Sequence, residues 1–596
     1  MTIRRAPRTL YLLGALLVLY LGFPVAAFLI RVAGGHDEGW HTAGLWPALR
    51  VSLAGATISL LIGVVFGIPL AYLLARRPGP IATLVGVIVQ LPLAVPPLIS
   101  GVLLVYVIGP YTWLGQRSGE RLTQTMYGVI IAMSFVSIPF LIVAARSAFR
   151  TVDPALSDVA ATLGHGPLAR LMRVEVPAAS DGIRAGMILM WLRSFGEYGT
   201  VVVLAYHPFT LPVYAENLFS SAPLSEAEAP ALVAFAVAIL AIAAGRLRRP
   251  RSLRRRRTPP APQPPPVSTP APVGFEIDAQ VGSFHLQVAH TAATHRLAVV
   301  GPSGSGKSIA LRAIAGLLGP GAAHVRVAGA DLSADPPERR RLGYVPQGFG
   351  LLPGRTVWQQ TVFGAGADAS RAAWWLRTLG LDQLLDRLPD ELSGGQRQRV
   401  SLARALAIDP AAVLLDEPFS ALDTPTRSEL RRELRRLQHE AGLSTVIVTH
   451  DPEEAAMLAD EVVVVSGGRV LQSGRCSEVY RRPASVRVGR LLGIENLFDG
   501  GSGNGTAALL WHVPPEAVHI RATGDTPPPG HRDLGTCTVV DVIDLGRSVE
   551  ILVTRSDGHI MRARTLDPPS LSPGDRCRAD ADADAVAVWP AHTQTR

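Results

Sequence analysis

The sequence predicts three bodies in series: an α-helical membrane domain of six spans, an α/β domain, and a small β-rich C-terminal domain. Three observations carry this expectation. Apolar residues crowd into residues 10–246 and charges crowd after 246. A glycine-rich octapeptide follows a β-type run in mid-chain, and short β-type runs separated by turn residues recur after 536. At 596 residues the chain is too long for a single core.

Composition excludes several classes. A mean hydropathy of +0.26 with 18% charged residues is too apolar for a purely soluble protein. The net charge of +9 could suit a nucleic acid, but the arginines cluster where a membrane protein needs them on its cytoplasmic side. The expectation is a lipid bilayer and no nucleic-acid partner. Cys476, Cys537 and Cys577 all lie in the charged half, which argues against a disulfide framework and for inert thiols in a reducing compartment.

Apolar runs of about 20 residues read as membrane helices. They fall near 10–30, 51–75, 81–108, 126–145, 183–205 and 230–245. The first is read as an uncleaved anchor, its apolar stretch being longer than a signal-peptide core. Arg4, Arg5 and Arg8 precede the first span, and Arg76 and Arg77 follow the second. Arg146, Arg150, Arg170 and Arg173 lie between the fourth and fifth, and a run from Arg246 to Arg257 follows the sixth. Six spans put all of these on the cytoplasmic side. The chain is thus expected to be a multi-pass protein of the cell membrane, with the later domains cytoplasmic.

The third span contains Leu91-Pro-Leu-Ala-Val-Pro-Pro97. Prolines at bilayer depth break a helix, and the freed carbonyls must face protein or a cavity. Pro96 and Pro97 therefore mark either a pathway-lining segment or a kinked packing helix. The fifth span carries Arg193 and Glu197, four residues apart on one helix face. They read either as a translocation-path pair or as a self-neutralising pair that only packs. A basic and proline-rich linker follows at 248–273, its arginines suited to anionic headgroups.

Residues 274–490 form the α/β domain. Leu297-Ala-Val-Val300 leads into Gly301-Pro302-Ser303-Gly304-Ser305-Gly306-Lys307-Ser308. This is the phosphate-cradling pattern, in which glycines let backbone N–H groups close around phosphates, and the ammonium and hydroxyl reach phosphate and Mg²⁺. Of the 57 Lys and Arg residues only Lys307 is lysine, and a planar guanidinium could not replace its compact charge. The chain is expected to bind ATP with Mg²⁺. Further along come Tyr344-Val-Pro-Gln347, Leu392-Ser-Gly-Gly-Gln-Arg-Gln, Val413-Leu-Leu-Asp-Glu-Pro418, Ser420-Ala-Leu-Asp423 and Val446-Ile-Val-Thr-His450.

This ordered set resembles the ATP-binding cassette of ABC transporters. The resemblance implies that Ser308, Gln347 and Asp416 serve the metal, that Glu417 polarises the attacking water, and that His450 contacts the γ-phosphate. It implies that Ser393, Gly394 and Gly395 face the ATP of a second subunit, with Asp423 at the dimer seam. Phe284 is the candidate for stacking on adenine, with Phe275 as runner-up; a core-packing role is open for each.

Between the fourth and fifth spans, within 150–180, Asp158-Val-Ala160-Ala161-Thr-Leu-Gly164 followed by Val174-Glu-Val-Pro177 resembles the coupling loop of ABC importer permeases. This implies import, with a separate extracytoplasmic binding protein. Pro92-Leu-Ala-Val-Pro-Pro-Leu-Ile-Ser-Gly101, Gly196-Glu-Tyr-Gly199 and Thr210-Leu-Pro-Val-Tyr214 look like the permease of molybdate and related sulfate importers. Molybdate, with tungstate inseparable, is the expected substrate, and sulfate or thiosulfate the alternative. An exporter and a non-transporting regulatory ATPase are the further alternatives. Residues 491–596 resemble the small OB-like β-barrel appended to oxyanion-type ATPases, there a ligand-binding regulator or a dimerisation appendage. One chain would supply half a transporter, so a homodimer is expected.

Overall fold

The computed structural model describes residues 8–34, 40, 42, 44–119, 121–246, 259–265, 270–499 and 509–591. The basic run 248–257, and Arg4 and Arg5, lie outside the described residues. Two compact units emerge. One comprises 1–153 with 175–255, and the other 154–174 with 256–596.

The first unit is all helical. Among the described residues four helices are long and apolar enough to cross a membrane: Thr9–Val32, Leu45–Arg76, Met126–Thr151 and Ser225–Gly245. A fifth crossing is available if Pro80–Ala94 and Pro97–Ile108, bent by 117° at the intervening break, count as one. The span expected at 183–205 is broken. That stretch divides into Ser180–Phe195 and Gly199–Leu204, of 16 and 6 residues. At about 1.5 Å per residue neither half alone reaches across an apolar layer of about 30 Å, so a crossing here uses both, over 180–204. Hydropathy registers the apolar composition of this stretch and misses the break. The prolines of the third span act as expected: Val95 is extended, Pro96 precedes the next helix, and Pro97 opens it.

Small residues let these helices approach closely. A Cβ on Gly182 would come 2.5 Å from that of Ala148, and one on Gly186 2.8 Å from that of Ala144. Small-residue seams of this kind hold helices together where lipid gives no hydrophobic drive. Ser194 Oγ donates to Ser137 Oγ at 2.7 Å along the same seam.

The second unit carries the sheets. Its strands in chain order are β1 (Val273–Val281), β2 (Phe284–Thr291), β3 (Arg296–Val300), β4 (Ala323–Val327), β5 (Ala330–Asp331), β6 (Leu342–Val345), β7 (Ala412–Asp416), β8 (Thr445–Thr449), β9 (Glu461–Ser466) and β10 (Arg469–Arg475). They form one sheet ordered β5-β4-β1-β2-β10-β9-β3-β8-β7-β6. The segment β9-β3-β8-β7-β6 is parallel and reads as runs of Val, Ile and Leu, as strands covered on both faces do. β1, β2 and β4 are antiparallel.

The C-terminal strands are β11 (Leu497–Asp499), β12 (Leu509–His512), β13 (Val518–Ala522), β14 (His531–Asp544), β15 (Val549–Arg555), β16 (Ile560–Thr565), β17 (Arg576–Asp582) and β18 (Ala587–Pro590). One sheet runs β13-β17-β14-β15-β16, and a smaller one β11-β12-β18. The end strands β13 and β16 lie against each other, so the larger sheet curls around a core of Val539, Val553, Met561, Cys577 and Ala579. Cys476, Cys537 and Cys577 are free and buried.

Candidate functional site

The phosphate loop joins β3 to the helix Lys307–Ile314. Gly304 and Gly306 have φ of +78° and +95°, a backbone region closed to most side chains. A Cβ on Gly301 would lie 2.0 Å from the Val465 carbonyl oxygen. Lys307 is buried and its Nζ donates to the carbonyls of Gly301 and Pro302, each at 2.9 Å. Burial lowers its pKa, opposed by the nearby charges of Glu417 and Asp416. The ammonium is thus held beside two carboxylates, on the carbonyls of the loop itself.

β7 is buried throughout and delivers Asp416 at its end. Ser308 Oγ donates to Asp416 Oδ1 at 2.8 Å. Burial raises the pKa of this carboxyl, and the Ser308 hydrogen bond opposes the rise. A hydroxyl and a carboxylate this close form an all-oxygen donor set that fits a hard cation such as Mg²⁺. Ser308 and Asp416 would hold that ion, which when bound neutralises phosphate charge.

Glu417 follows immediately, with φ +44°. A non-glycine residue in this region is strained, and such strain gathers at functional sites. Its amide donates to the Val448 carbonyl at 2.9 Å, fixing it against β8. Gln347 Nε2 donates to Glu417 Oε2 at 3.2 Å, and His450 Nδ1 lies 3.3 Å from Oε1. The three candidate catalytic residues therefore share one constellation around the Glu417 carboxylate.

Ser393 caps the helix Gly394–Leu406 in a reciprocal box with Gln396, and Asp423 caps Thr424–Glu440. A Cβ on Gly395 would come 2.8 Å from Thr426 Cγ2, so the two caps lie side by side. Phe284 packs on the phosphate loop: a Cβ on Gly306 would lie 2.9 Å from its ring. Phe275 is buried, with its ring 6.4 Å from that of His290.

The segment 154–174 packs within the cassette's unit. Its helix Pro154–Thr162 ends in Gly164 at φ +90°. Buried Ala160 and Ala161 lie on that helix. The Ala365 amide donates to the Leu163 carbonyl at 2.8 Å, and His165 Nε2 to the Phe363 carbonyl at 2.8 Å. Val159 meets the loop after Gln347, since a Cβ on Gly350 would lie 3.0 Å from its Cγ2.

In the membrane unit Arg193 and Glu197 pair at 2.5 Å, with Glu197 only 1% exposed. Glu197 Oε1 also accepts from the Thr200 amide at 2.8 Å, and Thr200 Oγ1 donates to the Pro97 carbonyl at 2.9 Å. Arg193, Glu197 and Pro97 are thus brought together through Thr200. Pro96 stands at the bend.

Three positioning arginines escaped the sequence reading. Arg404 is fully buried and donates to the carbonyls of Phe349 and Gly350 at 3.1 and 2.7 Å. Arg340 donates to the Ile314 carbonyl at 2.7 Å, closing the end of the helix after the phosphate loop. Arg312 meets Asp158. In a chain where arginine serves nearly every cationic position, only their burial or partners distinguish them.

These elements define an ATP-hydrolysing cassette joined to a polytopic permease. Family models agree: residues 289–420 match the ABC transporter family, 63–248 the binding-protein-dependent transport system inner membrane component, and 513–589 the TOBE domain. The molybdate/tungstate import ATP-binding protein of Pyrococcus horikoshii is 34% identical over 49% of this chain and 91% of its own length. That of Archaeoglobus fulgidus is 43% identical over 37% of this chain and 94% of its own. The sulfate/thiosulfate import ATP-binding protein of Burkholderia mallei is 39% identical over 45% of this chain and 83% of its own. The chain belongs to the binding-protein-dependent ABC transporters, with permease, ATPase and TOBE domain in one polypeptide. It is a membrane protein with a cytoplasmic ATPase, and it couples ATP hydrolysis to transport. Import systems of this family work as dimers with a solute-binding protein.

Proposed function

We propose that two copies of this chain form an ATP-driven importer of a tetrahedral oxyanion, molybdate or tungstate, delivered by an extracytoplasmic oxyanion-binding protein. The observation that carries the reading is the docking of 154–174 beside the Gln347 loop. Gln347 touches Glu417 and the following loop touches Val159, so nucleotide chemistry and the permease's cytoplasmic segment share one mechanical element. Phosphoryl transfer needs little beyond positioning and charge stabilisation, which Lys307, Asp416, Glu417, Gln347 and His450 supply. Ser393, Gly394, Gly395 and Asp423 would complete the site of the second copy, and Phe284 would stack on adenine. The relatives named for molybdate and tungstate support the substrate.

Sulfate or thiosulfate is the second reading, favoured by the relatives named for those anions. The experiment is ATP-dependent uptake of labelled molybdate by reconstituted protein with its binding protein, competed by tungstate, sulfate and thiosulfate. Competition by tungstate alone supports the first reading. Equal competition by sulfate moves the chain to the second, and no ATP-dependent uptake of any of these removes both.

A further inference from the structure

We propose that His519, His531 and Asp582, on the outer face of the C-terminal sheet, form a binding site for a divalent transition-metal ion of the zinc class. The strand order β13-β17-β14 and the register set His519 opposite Asp580 and His531 opposite Asp582. Residues two apart on a strand share a face. β17 thus presents Asp580 and Asp582 together, with one histidine arriving from each flanking strand. The other face of β17 sends Ala579 and Ala581 into the core.

One donor atom from each of His519, His531 and Asp582 lies within 4.8 Å of the others. The Nε2 atom of His531 is 3.1 Å from Asp582 Oδ1. Two donors each about 2.0–2.1 Å from a tetrahedral zinc ion lie about 3.3 Å apart, so this pair is already spaced for a shared metal.

A second observation points the same way. Asp580 is wholly buried, and its Oδ2 accepts from His531 Nδ1 at 2.6 Å. Its other oxygen accepts from Arg521 Nε at 2.7 Å. Metal-ligating histidines typically donate their second ring N–H to a carboxylate, which fixes tautomer and ring orientation. A proton on Nδ1, held by this buried carboxylate, would leave Nε2, 3.1 Å from Asp582 Oδ1, free to ligate the metal. Arg521 balances the charge of Asp580, leaving Asp582 as the anionic ligand. Asp582 is 60% exposed, which gives an ion its entry and leaves a fourth position for water. The competing reading of this geometry is a purely structural cluster in which His531 only bridges Asp580 and Asp582.

The test uses full-length, untagged, metal-stripped protein in detergent without nucleotide. Zinc is titrated against a chromophoric chelator, and cobalt(II) is followed by its visible absorption, strong only in four-coordinate sites. Wild type is expected to bind one equivalent per chain with the strong cobalt spectrum. His519→Ala and Asp582→Asn leave the Asp580–His531 pair in place. Each is expected to weaken binding by at least the about 10–100-fold that loss of a mere supporting partner costs, with ATPase activity unchanged. No bound equivalent in wild type, or wild-type affinity in both variants, overturns the proposal.

Discussion

Arg312, on the helix that follows the phosphate loop, pairs with Asp158 of the 154–174 segment at 3.1 Å. The helix proposed to hold nucleotide phosphates at its start thus touches, through its own side chain, a segment that belongs in sequence to the permease. Both partners are partly solvated, so the pair contributes less than about 1 kcal/mol to stability. Arg312→Ala is therefore expected to leave the apparent melting temperature nearly unchanged while lowering substrate transported per ATP hydrolysed. An unchanged transport-to-hydrolysis ratio in vesicles would remove this contact from the coupling path.

Glu417 is gripped by Gln347 on one side and approached by His450 on the other. Glu417→Gln keeps shape and hydrogen-bonding reach but loses the charge proposed to polarise the attacking water. Turnover is expected to fall at least about 100-fold with ATP binding retained. Steady-state ATPase assays paired with binding of a fluorescent nucleotide check this, and wild-type-like hydrolysis would falsify the assignment.

Arg404 offers a stability prediction. Burial without a carboxylate partner pushes its pKa down to about 9, and its donors serve the carbonyls of Phe349 and Gly350. Arg404→Met removes a buried cation and strands the buried Gly350 carbonyl at about 1–3 kcal/mol, while Ser401 Oγ still serves the Phe349 carbonyl at 2.7 Å. The apparent melting temperature should fall, and ATPase activity should fall with it because the loop after Gln347 loses its anchor. Thermal melts alongside ATPase assays read both.

His165 makes the docking of 154–174 pH-sensitive. Burial lowers its pKa below 6.5, reinforced by Arg173 and Arg355, while its hydrogen bond to Phe363 opposes the shift. The undocked ring therefore takes up a proton at higher pH than the docked ring. The docked form is fully favoured above 6.5 and loses ground as pH falls toward the lowered value. Hydrogen exchange in 154–174 should quicken on acidification in wild type and lose that dependence in His165→Gln. A parallel pH response in both would assign the effect to another group.

The parts of the proposed nucleotide site could be named from the sequence because each demands a residue type: a glycine where φ is positive, a lysine for a point charge, carboxylates at a strand end. The bend at Pro96 was legible for the same reason. The break between Phe195 and Gly199 was not. It is made by Glu197 turning back to cap Thr200 and pair with Arg193, a side-chain choice that an apolar-run count cannot register. Arg404, Arg340 and Arg312 were hidden by abundance. In the C-terminal domain the residues alone read as strands, and the barrel came from the resemblance, since closure depends on long-range pairing such as β13 with β17.

The docking of 154–174 also has a timetable. His165 and its partner Phe363 are 198 residues apart. At about 5–20 residues per second, the segment leaves the ribosome about 10–40 s before its docking surface has been synthesised. Val159, Ala160, Ala161 and Leu163, all buried in the finished protein, have no cassette to cover them during that interval. Separately encoded subunits can meet fully folded, but here assembly of the coupling element is tied to the order of translation. Slowing elongation between 175 and 365 should therefore lower the yield of coupled transporter more than the yield of active ATPase.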